Sequence, residues 1–146
     1  MNETWEEQGA RALTGIEPIQ FLVGRWTGHG HSYGEPVTGE FIVRPLLDGS
    51  WLEALEVLAD ESGHSVHKDL SLYRFNTETD GLEVMQLFEH AHRSIAPVEL
   101  TSDGFRWITG PGAPQLRYVL ENDTLCYTVV LPSETAPAIS MTYTRS

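Results

Sequence analysis

Cysteine is nearly absent from this chain. Cys126 stands alone, so no disulfide can form within it, and its setting "LCYTVV" predicts a buried strand thiol rather than a reactive one. Basic residues are scarce too. Nine Lys and Arg stand against 21 Asp and Glu, a net charge of -12, which repels phosphate backbones and anionic membrane surfaces. Neither nucleic acid nor a membrane is an expected partner. No apolar run approaches membrane-spanning length, and "MNETWEEQGARALTG" lacks the basic start and apolar stretch of a secretory signal, so the expected location is cytoplasmic. Catalytic signatures are missing as well. There is no G-x-S-x-G nucleophile elbow, no H-E-x-x-H string and no glycine-rich phosphate cradle, since "GPGAP" at 110–114 reads as a proline turn. No catalytic residue is assigned, and the expectation is a binder rather than an enzyme.

What is present reads as one domain over residues 1–146, with an N-terminal helical plug over 1–23 and a barrel over 24–146. Thr4 and Glu7 have capping-box spacing, and "EEQGARAL" continues as a short helix that Gly15 ends. Pro18 suits the first position of a second turn, "PIQFLV". Beyond Trp26 the helical period disappears, and short apolar runs alternate with Gly, Pro, Asp and Asn. Strands are predicted at 25–33, 37–45, 50–59, 65–75, 82–90, 92–100, 104–109, 115–121, 124–131 and 138–145. Ten short strands at this spacing define an all-β sandwich or barrel. In "SWLEALEVLA" Trp51, Leu55 and Val57 share a face with Glu53, while Leu52, Ala54 and Leu58 share the other with Glu56. Such mixed faces suit a small barrel with a lined interior better than a solid sandwich core.

The opening "FLVGRW", with Gly24-x-Trp26 entering the first strand, and the close "SMTYTRS", with Arg145 on the last, resemble the calycin group, the lipocalins and fatty-acid-binding proteins. Within it, "FLVGRWTGHG" is most similar to the start of nitrobindin-like haem-binding barrels and of related bacterial barrels of uncharacterised function. "RPLLDGSWLEALEVL" is similar to the second and third strands of the latter. The resemblance implies an antiparallel, up-and-down, calycin-like barrel of about ten strands. The pattern also has its own physical logic. Gly24 turns the backbone from plug into strand, Trp26 closes the narrow end, and Arg145 stacks across the indole. With Trp26 inward, alternation sends Gly28, Gly30 and Ser32 inward, leaving room for a ligand beside the backbone, and sends His29 and His31 out.

The histidine pairs His29-x-His31 and His90-x-His92 each put two imidazoles on one strand face, which makes them the candidate metal ligands; His64-x-x-His67 completes the set of six. No metal is expected, because no accompanying string supplies the remaining ligands. Nitrobindin-like barrels place an axial histidine shortly before the terminal arginine. Here "SETAPAISMTYTRS" contains none, so haem is the alternative cofactor only with another ligand, Met141 or Tyr143. Glutamates such as Glu53 and Glu56 read as solvated surface charges. The expected cavity lining is Trp51, Leu55, Tyr73, Met85, Leu87, Phe88, Trp107, Tyr118, Tyr127, Met141 and Tyr143, with Arg74, Arg93, Arg106 or Arg117 available to orient a carboxylate. The functional expectation is burial of a small apolar or amphipathic molecule with no cofactor. The alternatives are a nitrobindin-like haem protein and a ligand-free structural domain that forms a homodimer.

Overall fold

The computed structural model describes residues 15–88 and 93–146, the side chains of residues 88 and 93 excepted. The helix expected from Thr4 lies outside these residues. A 3-10 turn at Glu17–Leu22, with Pro18 in its first turn, leads into ten strands. They are β1 (Gly24–Ser32), β2 (Glu35–Leu46), β3 (Trp51–Ala59), β4 (Ser65–Asn76), β5 (Gly81–Phe88), β6 (Arg93–Thr101), β7 (Gly104–Trp107), β8 (Gln115–Glu121), β9 (Thr124–Val130) and β10 (Ile139–Arg145). A second short 3-10 turn, Leu47–Gly49, joins β2 to β3. Each strand pairs antiparallel with its neighbour in sequence, and β1 pairs with β10 from Trp26 opposite Arg145 to Ser32 opposite Ile139. The sheet is therefore a closed up-and-down barrel with no free edge among its strands.

Short turns support this register. Tyr33–Gly34 and Asn122–Asp123 each hold two successive positive φ values, the geometry that matches the right-handed twist of a hairpin. The loops differ between the two ends of the barrel. Residues 122–123 and 102–103 are minimal connections at the plugged end, whereas 60–64, 108–114 and 131–138 rise at the other.

The plugged end is held by a small set of directional contacts. Trp26 is fully buried, and its indole N–H donates to the Leu22 carbonyl at 2.9 Å. The Arg145 guanidinium lies 4.2 Å from the centre of that ring and donates to the carbonyls of Val23 and Phe21. One arginine thus ties the last strand to the chain segment that precedes the first. Gly24 sits at φ +136°, and a Cβ there would lie 2.9 Å from Arg145 Nη1. Above this latch Ile19, Leu22, Phe41, Leu52, Phe105 and Leu125 fill the interior, each at most 2% exposed.

The room expected beside Gly28 and Gly30 is not there. A Cβ on Gly28 would fall 1.9 Å from the Thr142 carbonyl oxygen, and one on Gly30 would fall 1.8 Å from that of Ser140. These glycines let β10 close tightly on β1, so the space belongs to backbone. Cys126 also differs from expectation. It is on β9 as a strand residue, but it is only half-buried, because Leu125 and Tyr127 on either side take the inward positions.

Trp26→Ala removes the ring that the arginine and the plug both grip, and should lower stability by about 3–5 kcal/mol. Guanidinium unfolding monitored by circular dichroism checks this; a loss below about 1 kcal/mol would refute a closing role for the indole.

Candidate functional site

Alternation from Trp26 determines what the interior contains. On β3 the inward residues are Leu52, Ala54, Glu56 and Leu58, and on β4 they include His67, Asp69, Ser71 and Tyr73. Among the described residues the buried polar and charged side chains are Glu56, Asp69, Ser71 and Gln86. All four lie on three successive strands. Glu56 is the direct cross-strand partner of Asp69, and Ser71 of Gln86. The opposite wall is aromatic. Tyr118 stacks between Phe105 and Tyr127 with ring centres 4.8 and 4.7 Å away, and Phe41 bridges Tyr118 to Tyr143. The interior thus has a polar side on β3–β5 and a phenol-rich side on β7–β10.

The two sides meet at Glu56. The Tyr143 hydroxyl crosses the barrel and donates to Glu56 Oε2 at 2.7 Å. His67 Nε2 lies 2.5 Å from Asp69 Oδ2, and one ligand-capable atom from each of Glu56, His67 and Asp69 falls within 4.8 Å of the other two. Burial first, and the neighbouring Asp69 charge second, push the Glu56 carboxyl up to about 8, against the Tyr143 hydrogen bond and His67. The hydroxyls of Tyr73, Tyr118, Tyr127 and Tyr143 are all shifted upward, chiefly by burial, and stay protonated donors. Trp107 Nε1 donates to the Tyr73 hydroxyl at 3.2 Å.

Among the clefts at the end remote from the plug, two touch the polar side of the interior. One, of about 440 Å³, runs between the β1–β2 and β3–β4 turns and is lined by Ser32, Tyr33, Val37, Asp60, Glu61 and His67 among others. The second, of about 310 Å³, has a mostly apolar wall of Ala96, Trp107, Ala113, Pro114 and Leu116, with Gln86 at its side. His67 is therefore the member of the acidic group that the first cleft reaches.

Of the residues expected to line a cavity, Tyr73, Trp107, Tyr118, Tyr127, Met141 and Tyr143 face inward and are buried. Trp51, Leu55, Met85 and Leu87 do not. They occupy the alternate positions, on the outer face, where Trp51 lies under Arg74 at 5.3 Å and shares a shallow hollow with Met85 and Ile95. Both faces of "SWLEALEVLA" are apolar with one glutamate each, so the choice rests on pairing. Glu56 lies opposite the inward Phe41, which sends Leu55 out. Phe88 sits on β5, with its side chain outside the description. Gly24, Trp26 and Arg145 form the closure described above. His29 and His31 are exposed on β1, and His90 and His92 lie outside the described residues.

Two further expectations need correction. Arg74, Arg106 and Arg117 point outward into ion pairs with Glu83, Glu99 and Asp103, so none is placed to orient a carboxylate inside; Arg93 is not described beyond its backbone. Glu56, read from sequence as a surface charge, is 1% exposed. Met141 and Tyr143, the alternative iron ligands, are packed into the wall, and Tyr143 is committed to Glu56. The signal that sequence reading passed over is "SVHKDLSLY". His67, Asp69 and Ser71 recur every second residue, and so do Leu70 and Leu72, and in β4 it is the former set that turns inward.

The fold is a closed, ten-stranded, antiparallel up-and-down barrel. The chain matches no protein-family model and no curated protein sequence.

Glu56 makes stability depend on pH in a defined direction. Its acid form is held in the folded protein while the unfolded chain ionises from about 4.5 upward, so folding takes up a proton between there and about 8. Stability from this group is full at low pH and falls through that window. Urea unfolding at about pH 5 and about pH 9 should show a loss on the order of a few kcal/mol that Glu56→Gln removes. An equal loss in the variant would show that Glu56 is not the group responsible.

Proposed function

We propose that this protein is a non-enzymatic, cytoplasmic binder of a small amphipathic molecule, taken up through the unplugged end of the barrel. The observation that carries the reading is the segregation of the interior: every described buried polar side chain lies on β3–β5, facing an aromatic wall on β7–β10. The buried side-chain N and O atoms among the described residues all have hydrogen-bond partners, so the interior carries a polar side as a built feature. The grouping of Glu56, Asp69, Ser71 and Gln86 on one side supports the reading of a surface that receives a polar head. The apolar cleft at Trp107 and Leu116 suits the rest of such a molecule. The opening "FLVGRWTGHG" supports the same reading through its resemblance to nitrobindin-like barrels, which hold a ligand. No arginine is available inside among the described residues, so the head group is not held as a fatty-acid carboxylate would be by an interior arginine.

Native mass spectrometry of freshly purified protein, set against the denatured mass, tests this. The expected result is a discrete organic mass released on denaturation and reduced in occupancy by Gln86→Ala. A bare polypeptide mass, together with no change in Trp fluorescence on titration with a neutral solvatochromic amphiphile, would favour a filled barrel without a ligand.

A further inference from the structure

The acidic group inside the barrel has a composition that an amphipathic ligand alone does not explain. Two carboxylates, Glu56 and Asp69, stand directly opposite each other on adjacent strands, and both are almost completely removed from water. Both cannot carry their charge there without a cation beside them, because like charges so placed repel and each has lost its hydration. Among the described residues no lysine or arginine side chain compensates them: Lys68 points outward between His67 and Asp69, Arg25, Arg44, Arg74, Arg106 and Arg117 are on the outer face, and Arg145 is spent on the plug. The third member is an imidazole, on the same face of β4 as Asp69 and two residues before it.

We propose that Glu56, His67 and Asp69 form a binding site for one divalent transition-metal ion, with its remaining coordination positions turned toward the unplugged end of the barrel. Two carboxylate oxygens and one imidazole nitrogen are a donor set that zinc, manganese and ferrous iron accept. Ligands at about 2.0–2.2 Å from a shared ion stand roughly 3–4 Å from one another. One ligand atom from each of the three side chains already lies within 4.8 Å of the other two, close to that spacing. A second layer is also present. Tyr143 holds Glu56 Oε2 through its hydroxyl, as outer partners commonly orient a ligating carboxylate. A route in exists as well, since His67 lines the 440 Å³ cleft between the β1–β2 and β3–β4 turns. The site differs from the H-x-H pair that the sequence advertises. His29 and His31 stand exposed on the outer face of β1, with no part in the interior group.

This inference rests on the reading of the unplugged end as a binding site, and adds that the polar head of the bound molecule meets the ion. The test is titration of the full chain, stripped with a chelator, with Zn²⁺ against a chromophoric competitor and with Co²⁺ followed by visible absorption. One ion per chain is expected, with a Co²⁺ ligand-field band. His67→Gln and Asp69→Asn should each weaken Zn²⁺ binding at least about tenfold, while the double variant His29→Ala, His31→Ala leaves it unchanged. His67 is partly exposed, so its variant carries the test even if Glu56→Gln fails to fold. Absence of Zn²⁺ and Co²⁺ uptake by the wild-type chain, or uptake lost in the His29, His31 variant and kept in His67→Gln, overturns the proposal. Native mass spectrometry of the same stripped and reloaded samples separates the two readings. An organic ligand retained by protein that takes up no ion overturns the metal site alone, and an ion bound at Glu56, His67 and Asp69 in protein that holds no organic molecule overturns the amphipathic binder alone.

Discussion

The pairing of the first strand with the last is the constraint on which the remaining architecture depends. A ten-stranded antiparallel sheet left open would present two edges of unpaired backbone, and its inner face would be wet. Closing it requires β1 and β10 to lie in register from Trp26 and Arg145 to Ser32 and Ile139. Gly28 and Gly30 let the two backbones meet without side chains between them. Arg145 then fixes the end of the closure by gripping the face of Trp26 and two carbonyls of the preceding turn. The ring is buried and the guanidinium meets three partners at once, so one side chain joins the last strand to the indole and to the turn before the first strand.

Closure creates an inside, and the inside is divided. On the tyrosine side, stacked rings and hydroxyls buried at high pKa make a rigid wall of protonated donors. On the other side, carboxylates, a serine and an amide line up across the two ladders that join three strands. Tyr143 joins the two through its bond to Glu56, so the position of the carboxylate is set from the far wall of the barrel. That arrangement holds the acidic group still while leaving His67 at the edge of the cleft. The longer loops 60–64, 108–114 and 131–138 are gathered at this same end, the distribution expected of an end that admits ligand.

The strand boundaries were readable because each is punctuated by turn residues, and every predicted strand is found within two or three residues of its place at each end. The latch was readable because a glycine, an indole and an arginine have chemistry that fits one job. The interior was harder. β4 breaks the rule that apolar residues face the core: Leu70 and Leu72 are turned toward the outside, and Asp69 and Ser71 toward the centre. β3 offers two apolar faces with a glutamate on each. Reading Trp51 and Leu55 as lining followed the larger side chains, and the same choice left Glu56 among surface charges.

The sequence by itself determined an all-β chain of ten strands and the residues that shut one end, because turn chemistry and the spacing of Gly24, Trp26 and Arg145 are local or terminal signals. Only the tertiary structure decided which face of β3 and β4 looks inward, and hence that Glu56, His67 and Asp69 stand together. The physical reason lies in the strand itself. A period of two tells which residues share a face but not which face is buried, and when both faces could serve, the choice is made by the register with neighbouring strands around the closed ring.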